Sequence, residues 1–476
     1  MGILRLGKWI SVVLLVLVIA GGALFYVFNR TFYPDAPVAD FPPPNDLASA
    51  QKQDFEHFKH YLELDKAYTP AARKEAEQML ADQSAKAGTL TPAQFDLAIA
   101  RIVALADNAH SSVSRGPLSR RHNRLPCRFY RFSDGYFVLR AQEACAPLLG
   151  AKVLAIDGVS VDEVANRMYP YTSGPRNHYD QSASPLFLES PELLHAAGQA
   201  TQADRILLRV RLADGSEAEQ VVLADPANPD EPRVFSDAYL SPDPVDGEAP
   251  GWTSPLTADA ELPLFLRDYG NPFRSTYDAH SGVYYVQFKS NQDEKGHPIA
   301  PFVALVKREI TSHKPRAIVL DLRLDRGGDF TTTANLMKNL PRLADTVQHV
   351  YVLTSAWTFS AGNVGVALLK EHGGGKVTVI GEPVGDRLRL WAEGGSMVLP
   401  NSKLRIGYAT GLHDYRRPCR AEPGCYWIMV FYPTHIASFE PDVRVEYRYA
   451  DYQALRDPLL ERAMELAAAD RAGVVN

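Results

Sequence analysis

This chain has few cysteines and no excess of positive charge. Only four of its 476 residues are cysteine, and its formal net charge is −6. No two cysteines are spaced C-x-x-C, so the usual ligand pattern of a structural zinc site is missing. The sequence has no cluster of basic residues, and together with the negative net charge this argues against a nucleic-acid partner. What remains is a globular chain of about three domains, at roughly 150 residues per domain.

Long-period repeats and low-complexity segments are also missing. His57 and His60 are spaced i, i+3 on a predicted helix, but histidines at this spacing are more often surface or packing residues than metal ligands. We therefore expect neither a metal ion nor an organic cofactor.

One long apolar run stands at the amino end. Trp9–Phe28 is uncharged, and its 20 residues match the roughly 20 that a helix needs to span a bilayer. The run is longer than the h-region of a signal peptide, and no A-x-A cleavage site follows it. Arg5 and Lys8 precede it and favour a cytoplasmic amino terminus, although Arg30 on the far side weakens that preference. We predict an uncleaved single-pass anchor with the remaining chain in the periplasm or outside the cell; a removed signal peptide is the alternative.

The four cysteines allow three disulfide connectivities, and the sequence alone does not choose among them. The local pairs Cys127–Cys145 and Cys419–Cys425 are the simplest, because each closes a short loop. An even count beyond a membrane anchor indicates disulfides in an oxidising compartment. Four unpaired small apolar side chains are the alternative.

Changes in composition divide the chain into five predicted segments. Pro34–Pro44 is a proline-rich spacer, and helices follow it, since Thr69 and Thr91 each stand as an N-cap before a first-turn proline. From about residue 127 the runs are short and β-like, and 241–262 is rich in Pro, Asp and Gly. The predicted segments are 1–30 (cytoplasmic stub and transmembrane anchor), 31–125 (helical region), 126–235 (β domain), 236–275 (linker) and 276–476 (α/β core).

The β domain contains the run L-L-G-A-K-V-L-A-I-D-G-V-S-V-D-E-V at residues 148–164. This run resembles the central part of a PDZ domain, in which a strand, a D-G turn and a short helix follow one another. PDZ domains bind extended peptides by adding them as a strand. The loop that holds the peptide carboxylate in a typical PDZ domain is not evident, so peptide capture by this module stays open.

Beyond the linker, strands alternate with helices. This alternation implies crossover connections and a mostly parallel sheet. The predicted strands are Val283–Lys289, Ala317–Leu322, Val350–Thr354 and Lys376–Ile380, and the predicted helices are Pro301–Thr311, Thr331–Leu343 and Ala361–His372.

Two motifs lie at the carboxyl ends of neighbouring strands, where open α/β sheets bind ligands. Asp321–Gly328 ends in a glycine pair, and Thr354–Asn363 places Ser360 between a strand and a helix. The backbone N–H groups of Gly328 and Ala361, with Gly327 shaping the turn, can bind an oxyanion next to a serine nucleophile. Taken alone, Ser360 is more simply a helix N-cap.

Further sequence motifs lie before and after these two, and all occur in a specific order. The series resembles the tail-specific, or C-terminal processing, serine peptidases, a family that includes the tricorn core protease and the interphotoreceptor retinoid-binding protein. The resemblance implies a ClpP/crotonase-like catalytic core at 276–476 and a PDZ-like module at 126–235. It is carried by Val283–Phe288, Asp321–Gly328, Thr354–Asn363, Val379–Pro383, Phe439–Val443 and Arg456–Ala463.

The resemblance also implies a base for Ser360. One branch of the family uses a lysine about 25 residues after the serine, but here that position is Gly385, and Lys370 and Lys376 come too early. The tricorn-like branch uses a histidine in a D-x-x-H-[ST] context, and this chain has D-N-A-H-S-S around His110. A neutral imidazole suits proton transfer at physiological pH. His110 is therefore the predicted base, with His413 and His435 as rivals.

Two departures from the family pattern affect this prediction. Many relatives carry glutamate three residues after the serine, where this chain has Asn363. The acid that would orient His110 is thus unassigned, and Glu382, Glu440 and Asp107 are the candidates. Asp325 replaces the common asparagine of the glycine turn, which changes the charge expected near the oxyanion hole.

Together these features predict a membrane-anchored serine endopeptidase acting on extended polypeptides or on their C-terminal segments. A non-catalytic protein that keeps the fold and binds peptides or apolar ligands is the alternative from another class. A peptidase with a lysine base is the second alternative. The oligomeric state is not indicated.

Overall fold

A computed structural model describes residues 2–113, 118, 120–231, 234–244, 246–257 and 260–471. The chain is a mixed α/β protein with several sheets and a long apolar helix at its amino end. The helices are α1 (Gly2–Phe32), α2 (Leu47–Leu64), α3 (Pro70–Ser84), α4 (Pro92–Ala104), α5 (Val161–Met168), α6 (Arg176–Ser182), α7 (Ser184–Leu188), α8 (Pro191–Ala196), α9 (Ile299–His313), α10 (Thr331–Asn339), α11 (Ala361–Gly373), α12 (Tyr449–Gln453) and α13 (Pro458–Arg471).

The strands are short and belong to four sheets. They are β1 (Ser112–Val113), β2 (Cys127–Phe132), β3 (Gly135–Ala141), β4 (Lys152–Ile156), β5 (Val159–Ser160), β6 (Arg205–Arg211), β7 (Glu217–Leu223), β8 (Phe273–Asp278), β9 (Val283–Phe288), β10 (Ala317–Asp321), β11 (His349–Thr354), β12 (Val377–Gly381), β13 (Arg389–Ala392), β14 (Gly395–Val398), β15 (Arg405–Tyr408), β16 (Gly411–Asp414) and β17 (Val443–Arg444).

The apolar helix α1 reaches slightly further along the chain than the predicted span. Among the described residues it is the one helix long and apolar enough to cross a membrane, over Val13–Phe32. Its apolar side chains are exposed from Val13 to Val27, and contact with the folded body begins at Phe28.

The helical region follows its predicted caps. The hydroxyl of Thr69 accepts a hydrogen bond from the Ala72 N–H, and that of Thr91 accepts one from the Gln94 N–H. Both helices have proline in their first turn, where its missing N–H has no helical partner in any case. His57 is buried on α2 and His60 is half exposed beside Glu63.

The β domain is a sheet with strand order β2-β3-β4-β6-β7 in which neighbouring strands run antiparallel, and β5 pairs with β4. One disulfide joins Cys127, the first residue of β2, to Cys145. The second disulfide is the other local pair, Cys419–Cys425. Both disulfides are the local pairs that were the simplest of the three possible connectivities.

The central sheet has the order β17-β12-β11-β10-β9-β8. β9 to β12 and β17 run parallel to their neighbours, and only β8 is antiparallel, paired with β9. Helices α9, α10 and α11 connect successive parallel strands, because parallel strands need a crossover connection, which is usually a helix. Every residue of β9 and β10 is buried, so the sheet is a fixed frame for the loops at its carboxyl end.

Two small strand pairs lie where the helical region contacts the carboxyl-terminal part of the chain. β1, which follows His110 by two residues, pairs with β15, and β13 pairs with β16. The chain between the β domain and the core is also packed, because Tyr239, Phe265 and Leu266 are buried in one cluster with Trp357.

Candidate active site

The glycine turn after β10 and the serine motif after β11 are in direct contact. The Phe359 N–H donates to the Asp325 carbonyl at 2.9 Å, and the Thr358 hydroxyl donates to the Leu322 carbonyl at 2.8 Å. A Cβ atom on Gly327 would lie 2.5 Å from the Ser360 Cβ and 3.1 Å from its Oγ. Only glycine fits here, because the φ of +103° at Gly327 also disfavours other residues.

Ser360 does not act as the helix cap that its position suggests. Its side chain makes no cap hydrogen bond to α11, and within the described residues its hydroxyl has no hydrogen-bond partner. Its φ of +54° with ψ of −116° is a strained conformation for a residue with a side chain. Strain of this kind, where a strand turns sharply into a helix, is typical of an exposed nucleophilic serine.

One backbone donor of the glycine turn and one of the serine motif lack an acceptor among the described residues. Neither the Gly328 N–H nor the Ala361 N–H donates to another protein group there. The Gly327 N–H, in contrast, donates to the Asp325 carboxylate at 3.0 Å. Gly327 thus shapes the turn. The Gly328 N–H in the same turn and the Ala361 N–H at the start of α11 are both without an acceptor in the described part of the chain, and at Ala361 the helix dipole favours an anion.

Asp325 is fully buried beneath this turn. Its carboxylate accepts the Gly327 N–H and two hydrogen bonds of 2.7 Å from the Asn291 amide. Burial raises the pKa of Asp325 to about 7, although these hydrogen bonds lower it. The amide of Asn291 is fixed in turn by Thr333, whose hydroxyl donates to Asn291 Oδ1 at 2.6 Å. Asn291, just past β9, holds the glycine turn, and no sequence motif indicated it.

His110 lies against the serine motif. Its ring stacks on that of Phe359, the residue before the serine, with centroids 4.6 Å apart. Its side chain is mostly buried, and its Nδ1 lies 3.4 Å from Oδ2 of Asp386. His110 therefore packs against the residue that precedes Ser360, although the two lie 250 positions apart in the sequence.

The segment before His110 is held on both sides. The Asn108 amide donates to the Trp391 carbonyl at 2.9 Å and accepts the Trp391 N–H at 3.0 Å. The Arg387 guanidinium bonds the side chain and carbonyl of Asp107. Asp107 is therefore an anchor of the loop, and its carboxylate pairs with Arg387 instead of His110.

Asp386 is the carboxylate that the sequence analysis missed. Its side chain is almost fully buried beside His110, and its loop is fixed by the Gly385 N–H, which donates to the Thr358 carbonyl at 2.8 Å. A side chain on Gly385 would collide with the Ala356 carbonyl. Its position in the sequence could have indicated Asp386, because it directly follows Gly385, where the lysine branch has its base.

The other proposed acids and the rival lysines lie elsewhere. Burial raises the pKa of Glu382, whose carboxylate accepts a hydrogen bond from Gln181, and Glu440 is exposed. Lys370 donates to the Glu440 carbonyl. Lys376 donates to the Val347 carbonyl, at the amino end of the sheet and hence opposite Ser360.

Neither rival histidine contacts the serine motif in the described contacts. His413 is buried, and its Nε2 lies 3.1 Å from Glu393. His435 is exposed beside Glu371. Another histidine, His178, stacks on the second face of Phe359 with centroids 4.4 Å apart and lies 3.2 Å from the Ala356 carbonyl; the sequence analysis did not single it out.

Asn363 stands one turn into α11 and is fully buried. Neither its amide oxygen nor its amide nitrogen has a hydrogen-bond partner in the described part of the chain. A buried, unpaired amide is costly to a fold, and this one lies three residues after Ser360. Within the same residues, no group of three His, Cys, Asp or Glu side chains is arranged to hold a metal ion.

Solved structures share this architecture. A mutant of CPAF matches with a TM-score of 0.57 at 13% identity, over 89% of this chain and 97% of that chain. Mature CPAF complexed with lactacystin matches with a TM-score of 0.55 at 14% identity, over 89% of this chain and 99% of that chain. The photosystem II D1 C-terminal processing protease matches with a TM-score of 0.35 at 12% identity, over 84% and 92%.

These neighbours are tail-specific proteases, as the sequence resemblance implied. No family model and no curated protein matches the chain. The TM-scores of 0.55 and 0.57 show that the chain shares the fold of CPAF, and identities of 13–14% show the fold alone.

The contact between Gly327 and Ser360 predicts a strong effect of one added methyl group. Gly327→Ala should lower the free energy of unfolding by about 2–4 kcal/mol, because overpacking adds to the cost of positive φ. Gly251→Ala is the matched control, since Gly251 has a φ of +96° and no neighbouring atom within 4 Å of the place its added methyl group would take. That control should lose only about 1 kcal/mol. Equal losses in urea unfolding would show that the close contact is unimportant.

The buried carboxyl of Asp325 predicts a pH-dependent stability. Its folded pKa of about 7 exceeds the value near 4 of an unfolded aspartate, so the folded chain binds more protons between these values. Its contribution to stability therefore falls as pH rises from 4 to 7. Asp325→Asn should remove roughly 3 kcal/mol of the decline in unfolding free energy between pH 5 and pH 8. Exposed Asp345→Asn is the control, and an unchanged pH profile in Asp325→Asn would contradict the prediction.

Proposed function

We propose that this chain is a membrane-anchored serine endopeptidase that cleaves extended or C-terminal segments of polypeptides. Ser360 is the nucleophile, and His110 takes its proton and then passes it to the leaving amine. Asp386 orients the imidazole of His110. The Gly328 and Ala361 N–H groups stabilise the oxyanion of the tetrahedral intermediate.

The observation that carries this proposal is the state of Ser360. Its hydroxyl has no partner among the described residues, its backbone is strained, and the adjoining Ala361 N–H and the Gly328 N–H of the contacting glycine turn lack acceptors there, so no structural role explains it. A cap would relieve the strain and bond the helix, and Ser360 does neither. The arrangement supports acyl transfer, because it supplies both a nucleophile and donors for the charge that develops.

The order of contacts around the imidazole supports the proton path. Nδ1 of His110 is the atom nearest Asp386, so a carboxylate hydrogen bond there leaves Nε2 to accept the serine proton. Both ring nitrogens lack a full hydrogen bond within the described residues. Catalytic hydrogen bonds are often long in free enzymes and shorten when substrate binds.

Substrate and location follow from the surrounding parts. The antiparallel β domain, with its PDZ-like segment, suits an extended peptide added as a strand. The apolar helix α1 suits a single membrane crossing, and two disulfides suit an oxidising compartment. A protein that binds peptides without cleaving them would keep all of these parts, so the chemistry at Ser360 decides between the two functions.

Ser360 should react with a fluorophosphonate probe in the full-length protein. Such probes phosphonylate only a serine whose proton is removed by a neighbouring base, so Ser360→Ala should abolish the label. Exposed Ser396→Ala is the matched control and should label normally. A correctly folded wild-type protein that takes up no probe would refute the peptidase and leave the binding protein.

Asp386→Asn should slow the probe reaction by about 100-fold or more, because the asparagine no longer fixes the reactive tautomer of His110. His110→Ala should be at least as slow, and the double variant should be no slower than His110→Ala, since the two residues act as one unit.

Glu382→Gln, Glu440→Gln and Lys376→Ala serve as controls in the same assay and should react within a few-fold of wild type. Additive losses at His110 and Asp386, or a larger loss at Lys376, would contradict the Ser-His-Asp arrangement.

A further inference from the structure

The carboxyl end of α1 is built into the folded body. The Phe32 side chain is fully buried, and its ring lies 5.1 Å from that of Tyr426 and 5.6 Å from that of Trp427. The Thr410 hydroxyl donates to the Phe32 carbonyl at 2.6 Å. The apolar helix therefore passes directly into the core without a flexible tether.

The segment that receives the helix has an apolar outer face. Trp427–Phe431 is a short 3-10 helix in which Met429 points into the core. Trp427, Val430 and Phe431, at spacing i, i+3 and i+4, are exposed, and Phe431 is 73% exposed. We call these three side chains the aromatic patch. Exposed apolar side chains grouped in this way are typical of surfaces that contact a membrane or another protein.

The position of a bilayer relative to this patch follows from α1. The helix is exposed and apolar from Val13 to Val27, and the uncharged run Trp9–Phe28, at 20 residues, matches the roughly 30 Å of a hydrocarbon core. The outer surface of the bilayer then lies near Phe28. The ring of Phe28 is only 5.8 Å from that of Trp427, which puts the aromatic patch at the level of the lipid headgroups.

We propose that Trp427, Val430 and Phe431 insert into the interfacial layer of the same phospholipid bilayer that α1 crosses, as a second membrane contact. This inference rests on the proposed anchoring by α1. Tryptophan and phenylalanine are well suited to that layer, where apolar rings sit at headgroup depth. Two attachment points fix the orientation of the body, because a single helix leaves rotation about its axis free.

The orientation matters for the site. The Tyr33 hydroxyl, one residue past α1, donates to Glu393 at 2.7 Å and contacts the Tyr426 hydroxyl at 2.9 Å. Glu393 follows β13, the strand whose Trp391 holds Asn108 near the catalytic histidine. The membrane contact is thus connected by a few hydrogen bonds to the loop that carries His110.

The test uses the full-length protein in phosphatidylcholine vesicles. All four native cysteines are paired in disulfides, so Phe431→Cys supplies a single thiol for an environment-sensitive fluorophore. Val221→Cys on β7, at a position 57% exposed, is the matched control. Lipids with a spin label high on the acyl chain should quench the probe at position 431 by about twofold, since interfacial side chains lie 5–10 Å deep. The probe at position 221 should be quenched only by aqueous iodide.

Each other outcome counts against the proposal. If iodide quenches position 431 as it does position 221, in vesicles that retain the protein through alkaline extraction, the anchor is right and the second contact is wrong. If neither quencher reaches position 431, a second protein copy or another protein covers the patch. Loss of the protein on alkaline extraction refutes the anchoring together with this inference, and probe labelling of Ser360 tests the peptidase separately. Val430→Cys must repeat the result, which guards against local misfolding.

Discussion

The approach of the glycine turn to the serine motif, with no side chain between them, determines the rest of the site. β10 and β11 are adjacent and parallel, with Asp321 opposite Leu353, so the chain leaves both strands at the same edge. A Cβ atom added to Gly327 would lie 3.1 Å from the Ser360 hydroxyl, and the backbone hydrogen bond from Phe359 to Asp325 joins the two loops. Because this contact leaves little room, Ser360 keeps a strained φ. The strands that lead into the two loops, β10 and β11, are buried except for His349 and hold this conformation in place.

The position of His110 depends on a second, weaker set of contacts. β1 pairs with β15 over only two residues, and the Asn108 amide makes two hydrogen bonds to Trp391. The histidine is thus supported by the strand pairs around 389–414, outside the main sheet. A base mounted on such a separate support can shift relative to the serine while the core stays intact, which allows the site to be present and yet not fully aligned.

Much of this arrangement could be predicted from the sequence, for identifiable reasons. The caps at Thr69 and Thr91 are local, and the strands that flank Ser360 are continuous apolar runs, so both follow from neighbouring residues. His110 could be found only through a family motif, since nothing local distinguishes it from the other histidines. Asp386 and Asn291 could not be found, because their roles depend on which loops meet at the sheet edge, and that is decided by packing. Glu382 lies in the same loop as Asp386, but its carboxylate accepts a hydrogen bond from Gln181.

The burial of Phe32 has a mechanical consequence. A membrane helix that ends in a flexible linker can tilt without moving the domain it carries, but α1, the proposed anchor, ends in the core and would transmit its tilt. Helices tilt when their apolar length exceeds the local hydrocarbon thickness. In a thin bilayer the whole catalytic body would lean toward the lipid surface, and in a thick one it would stand upright. The thickness of the surrounding bilayer would then set how far from the surface a peptide bond must lie to reach Ser360.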